Sequence, residues 1–116
     1  MIEIKVPVRL ISEANNTVHW RVKHKRKKAI KAMLEQYWTK EKVKLPCEIE
    51  LVRVAPRRCD GDNNIFSMKF CRDFVADKII PGLQPGRADD DDRIKWEYSQ
   101  EKGAPREYGL IIRLTF

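Results

Sequence analysis

Apolar and polar residues alternate with period two from the start of the chain. Ile2, Ile4, Val6, Val8 and Leu10 fall on one side, Glu3, Lys5, Pro7 and Arg9 on the other. This is the pattern of a half-buried strand, and Pro7, which has no N–H to give a ladder, predicts an edge position or a bulge. Residues 12–19, SEANNTVH, are rich in turn formers and read as a loop. From about 21 to 39 the period changes: Ile30, Met33, Leu34, Tyr37 and Trp38 recur at helical spacing with lysines opposite them. A helix with an outward basic face in its N-terminal half is predicted there. Residues 47–55, CEIELVRVA, following Pro46, predict a second strand. After the turn-prone PRRCDGDNN, a second helix is predicted over roughly 63–80. Its core face is Ile65, Phe66, Phe70, Phe74, Val75 and Ile79, with Asp62 or Asn63 as N-cap. Residues 81–92 hold two Pro and two Gly and form a loop. Residues 93–99 and 107–116 alternate again, predicting two strands that form a hairpin across QEKGAPR.

The order is therefore β-α-β-α-β-β, a single α/β domain over residues 1–116 with a mixed sheet and two main helices. No internal repeat, low-complexity tract or linker interrupts it. With 116 residues, 42% hydrophobic and 35% charged, the chain has the composition of a globular domain with one core. No apolar run approaches the roughly 20 residues of a membrane span, and MIEIKVPVRL does not read as a signal peptide. A cytoplasmic protein without a membrane partner is expected. Cys47, Cys59 and Cys71 are odd in number and contain no CxxC pair, which argues against a disulfide scaffold and fits a reduced compartment. Only His19 and His24 remain as zinc ligands, so zinc is not expected.

The charge changes the picture more than the composition does. Residues 21–31, RVKHKRKKAIK, carry Arg21, Lys23, Lys25, Arg26, Lys27, Lys28 and Lys31 and no acid. These seven account for the entire excess of 24 basic over 17 acidic residues, a net charge of +7. Such a patch repels itself unless a polyanion relieves it, and a nucleic-acid backbone is the commonest polyanion; the plain alternative is a solvated helix face.

The acids are clustered too. Asp60 and Asp62 flank Gly61, and Asp89, Asp90, Asp91 and Asp92 stand in a row. Two carboxylates one residue apart in an extended segment share a face and can reach one metal, and Gly61 leaves room for a bulky ligand. A helix dipole keeps Asp62 ionised. Hard oxygens with no thiolate or imidazole among them point to Mg2+ or Mn2+. An EF-hand is excluded, because its sixth position is Ile65 and its twelfth Cys71. An Asx turn with an N-cap and a solvated acidic loop are the plain alternatives. Lys69, seven positions after Asp62, is predicted to project from the same side of the helix, where it can neutralise a phosphate. Asp73 at i+4 is its natural ion-pair partner.

These residues, in this order, resemble the RusA-type Holliday junction resolvases (crossover junction endodeoxyribonucleases) of bacteria and their phages, over nearly the whole chain. The match rests on DGDN (Asp60, Asp62, Asn63), a helix with Lys69 and Asp73 four apart, and the aspartate run before RIKWEYSQEKG. RLISEANNTVHWRVKHKRKK is similar to phage-type members. The gap from DGDN to the lysine is three residues longer than in the shortest family pattern, and four aspartates stand where two are expected. The resemblance implies a small homodimer in the host cytoplasm, of phage or prophage origin, that nicks four-way DNA junctions with Mg2+ (Mn2+ substituting) and no small-molecule cofactor. It implies Asp60, Asp62 and one aspartate of the later run as metal ligands and Lys69 as catalytic helper. Registering the run on Ile94 selects Asp90 and Asp91; a one-residue gap selects Asp89 and Asp90. Lys23, Lys25, Arg26, Lys27, Lys28 and Lys31, with Arg57 and Arg58, are expected to track the DNA arms through phosphates. His19 and Trp20 are junction contacts or packing residues. A non-catalytic basic DNA-binding protein and a nuclease for other branched DNA are the competing readings.

Overall fold

Strands that are apolar on both faces need cover on both sides, and this decides the sheet. The computed structural model describes residues 1–10, 20–82 and 88–116; the 12–19 loop, His19 and residues 83–87 of the second loop lie outside the described residues. Its elements are β1 (Ile2–Val6), α1 (Trp20–Tyr37), β2 (Cys47–Ala55), α2 (Gly61–Ser67), α3 (Lys69–Ile79), a one-turn 3-10 helix (Ala88–Asp90), β3 (Ile94–Lys102) and β4 (Gly109–Thr115). The four strands form one mixed sheet in the order β1-β4-β2-β3. The central places go to β4, with Leu110, Ile111, Ile112 and Leu114 buried, and to β2, with Ile49, Leu51 and Val52 buried. At one edge, β1 ends at Val6, immediately before Pro7, as the missing N–H requires.

The expected hairpin between the last two strands does not form. β3 pairs in parallel with β2, whereas β4 runs antiparallel to β2 on its other side. The doubly apolar β4 gains more from a central position than from pairing with the half-exposed β3. The link crosses the end of β2, where Gly103 N–H donates to the Ala55 carbonyl at 2.9 Å. A Cβ on Gly103 would lie 2.9 Å from the Glu107 carbonyl oxygen, so this crossing needs glycine.

The second predicted helix is two helices. The chain breaks at Met68 (φ −104°, ψ 8°), whose N–H bonds to the carbonyls of Ile65 and Phe66. Fully buried Met68 anchors the break and hands the core face to Cys71, Phe74 and Val75. Ile65 and Phe66, expected in the core, are instead 44% and 50% exposed.

The helices cover one face of the sheet. Leu34 of α1 and Cys71, Phe74 and Val75 of α3 pack with Ile4, Ile49, Leu51, Ile112 and Leu114 in a single cluster, and Trp38 meets Phe74 edge to face at 5.9 Å. Burial pushes the Cys71 thiol up to about 12, so it is a core group without nucleophilic character. On the opposite face Arg113 joins all four strands. Its guanidinium donates to Glu3 on β1 (3.0 Å), Glu50 on β2 (2.8 Å) and Glu101 on β3 (3.3 Å). Among the described residues no helix is long and apolar enough to cross a membrane.

Candidate functional site

The Asp60–Asp62 turn follows β2 and opens α2. Asp60 has extended backbone and is the N-cap; Asp62 and Asn63, the sequence-based choices, are inside the helix. The Asp60 carboxylate accepts from the Asn63 N–H (2.9 Å) and from Asn63 Nδ2 (3.1 Å), the usual way an Asp satisfies first-turn donors. Because the helix starts at Gly61, Asp60 and Asp62 do not share one face of an extended segment. Asp62 lies exposed in the first turn, and the space where a Gly61 side chain would sit is open.

Two contacts to β3 fix this turn. Gln100 Nε2 donates to the Cys59 carbonyl (2.8 Å), and the Cys59 N–H donates to Gln100 Oε1 (3.0 Å). Asn64, only 3% exposed, donates from Nδ2 to the Ser99 carbonyl (3.1 Å). Nothing local in the sequence announces either residue, since each partner is at least 35 positions away.

The break at Met68 also changes the placement of Lys69. It begins α3, so the two-turn relation to Asp62 along a continuous helix does not hold. Lys69 and Asp73 form no ion pair among the described residues, yet they share a neighbourhood that reading the sequence did not assemble. Burial raises the Asp73 pKa above the ordinary carboxylate value; the charge of Asp89 adds to this, and Lys27 of α1 and Lys69 oppose it. Asp73 thus feels charges from three segments, α1, α3 itself and the one-turn 3-10 helix.

Asp89 rather than Asp90 or Asp91 is the member of the acidic run that reaches α3. Arg72 lies 3.2 Å from Asp89 Oδ2 and donates to the Asp89 carbonyl (3.0 Å) and to the Tyr98 hydroxyl (2.6 Å). It also stacks 4.8 Å over Trp96, whose Nε1 donates to the same Asp89 carbonyl. Asp91 accepts from Arg93 Nε (2.9 Å), Nη2 (2.8 Å) and the Arg93 N–H (3.0 Å), which lowers its pKa to about 2. Asp90 and Asp92 keep partly or fully open side chains.

The acidic clusters are fixed at different points of β3: the Asp60 turn at Ser99 and Gln100, and Asp89 at Trp96 and, through Arg72, at Tyr98. Among the described residues no three His, Cys, Asp or Glu side chains are gathered to hold a metal ion. The donor chemistry nevertheless suits Mg2+, which is commonly bound by one or two carboxylates plus substrate phosphates and not by an all-protein cage. Asp89 Oδ1 and Asn64 Oδ1 are buried acceptors without a hydrogen-bond donor among the described residues.

The basic residues are placed as their spacing predicts. Lys23, Lys25, Lys28 and Lys31 have no acidic partner among the described residues, and Lys27 stands 5.7 Å from the centre of the Phe70 ring. With Lys27 beside Phe70 and Lys78 paired to Glu35, α1 and α3 run parallel. The first two turns of α1 therefore extend about 10 Å past the start of α3, toward the end where α2 joins it. Exposed Arg57 and Arg58 immediately precede Cys59 and Asp60, and Arg21 stacks on the 65%-exposed Trp20 at 5.7 Å. Compared with family models, curated proteins and solved structures, the chain matches none.

Proposed function

We propose that this protein is a Mg2+-dependent endodeoxyribonuclease that resolves four-way DNA junctions by paired nicks. The observation that carries the reading is the juxtaposition of cations and carboxylates at the start of α3, which bears Lys69 and Asp73, has Lys27 of α1 5.7 Å from its Phe70 ring and holds Asp89 through Arg72 at 3.2 Å. A polyanion drawn to the basic face of α1 comes up against carboxylates. That juxtaposition suits a protein that binds a phosphate backbone through a cation, because carboxylates alone would repel it.

In this reading Asp60 and Asp62 would hold Mg2+, which when bound acidifies a water and offsets charge on the scissile phosphate. Asp90 is the aspartate of the resemblance-derived pair that remains available, because Asp91 is committed to Arg93. Gln100 and Asn64 keep the Asp60 turn in place. Lys69 supports the non-bridging phosphate oxygens, and the α1 lysines with Arg57 and Arg58 hold the arms. Two symmetric nicks require two sites, so the acting species is a C2 homodimer.

Incubating a labelled four-way junction with the protein tests this. Paired symmetric nicks with Mg2+ or Mn2+ and none with EDTA are expected; intact junction with every divalent ion contradicts the reading. Binding without any cleavage would favour the non-catalytic DNA-binding protein, for which the basic face of α1 alone suffices.

A further inference from the structure

We propose that Phe66, with Ile65 beside it, is a surface on which this protein stacks an unpaired base at a DNA branch point. The proposal rests on the DNA reading above and adds to it the feature of the DNA that is recognised.

α2 is amphipathic in the reverse sense. Its buried residues are Asn64 and Ser67, while Ile65 and Phe66 are 44% and 50% exposed. The polar contacts explain this orientation. Asn64 Nδ2 bonds to the Ser99 carbonyl at 3.1 Å and Ser67 Oγ to the Asn64 carbonyl at 2.7 Å, while the Asp60 cap fixes the first turn. The helix docks on β3 through the Asn64 side-chain amide, while the Ser67 hydroxyl and the Asp60 cap close bonds within α2 itself, and this docking leaves Phe66 facing outward.

Two side chains expose far less than the roughly 800 Å² per partner that a stable protein interface needs, so this pair is too small to hold a second protein by itself. Cations flank it in the chain and across α1, with exposed Lys69 three residues on, Lys27 over Phe70, and Arg57 and Arg58 just before the cap, while the carboxylates of Asp60 and Asp62 lie at the start of the same helix. An aromatic face amid cations matches a nucleobase with phosphates on either side, the arrangement by which proteins hold unpaired nucleotides without reading sequence. A continuous duplex keeps its bases stacked inside and offers Phe66 nothing; a branch point offers an unstacked face. Asp62, one helical turn before Phe66, is then close in sequence and space to the strand that has left the duplex.

The test is a titration in EDTA, where no cutting occurs, of a four-way junction carrying 2-aminopurine at the branch point, alongside a continuous duplex of equal length. Phe66→Ala is expected to weaken junction binding about tenfold, in the range of one base–aromatic stack, and to change duplex binding less than twofold. Phe66→Trp should retain junction affinity and the 2-aminopurine response, and Phe66→Leu, apolar but without a ring face, should behave like the alanine variant. Equal losses on both DNAs, or no loss on the junction, in a variant with unchanged Tm overturn the proposal. So does a change of oligomeric state in Phe66→Ala, which would assign the residue to a subunit contact. A wild-type protein that binds neither DNA removes the DNA reading itself and this proposal with it; that outcome is read before any variant is made.

Discussion

Gln100 holds Cys59 at two points, donating to its carbonyl at 2.8 Å and accepting its N–H at 3.0 Å, across 41 positions of chain. The side-chain amide does what a neighbouring strand would do and carries the hydrogen-bonding edge of β3 to the residue just before Asp60. Gln100→Ala leaves both Cys59 groups without that partner. It is expected to lower stability by about 1–2 kcal/mol in urea denaturation and to slow junction cleavage more than it weakens junction binding. Unchanged cleavage would show that the Asp60 turn keeps its place without the clasp.

Arg72 plays the corresponding part for the later acidic run, tying Tyr98, Trp96 and Asp89 together. Arg72→Ala is expected to cost about 2–3 kcal/mol, because a half-buried carboxylate loses its cation. Arg72→Lys should recover little of it, since an ammonium cannot make the forked contacts and stack on Trp96 together. Chemical denaturation of the three proteins measures both effects.

Asp73 gives a pH signature. Its pKa is raised, first by burial and then by Asp89. A carboxyl whose folded value is raised binds its proton more tightly in the native state. The stability from that proton is present in full below the unfolded value and is lost as pH rises through the folded value. Asp73→Asn is therefore expected to raise Tm by about 1–3 °C at pH 7.5 and to change it little at pH 3.5. A lower Tm at pH 7.5 would show that Lys27 and Lys69 outweigh burial.

The α1 lysines should act on DNA and not on folding. Replacing Lys23, Lys25, Lys28 and Lys31 by alanine is expected to leave Tm within a few degrees and to weaken junction binding more than tenfold at moderate salt. The slope of log affinity against log salt should become shallower by about 0.9 for each phosphate that the variant no longer neutralises. Lys95→Ala, on the helix-free face of the sheet, should change neither quantity.

The local pattern carried most of the fold. Alternation placed β2 at its observed bounds, and helical spacing placed α1 and its outward lysines. Pairing was less legible: alternation in the last two strands indicated strands but not partners, and a hairpin loop looks the same in sequence as a crossing over β2. The break at Met68 was hidden because Ile65, Phe66 and Phe70 continue a helical apolar pattern, and only the anchoring of Asn64 on Ser99 turns the first two outward. At the site, the acids and lysines were visible as residue types. Their positioning partners, Gln100, Arg72 and Asn64, act across 17 to 41 residues and leave no local signal. Asp73 was visible through its i+4 spacing, but as a partner for Lys69 and not as a neighbour of Asp89.

The central claim is that the exposed carboxylate of Asp62 serves chemistry on DNA and not the fold. Asp62→Asn changes one oxygen to an amide at an exposed first-turn position, while Asp60 supplies the cap that the helix needs. Measured side by side on one mobile four-way junction, wild type and Asp62→Asn should bind equally well in EDTA, and with Mg2+ only the wild type should yield paired nicks. Undiminished cleavage by Asp62→Asn would contradict the account.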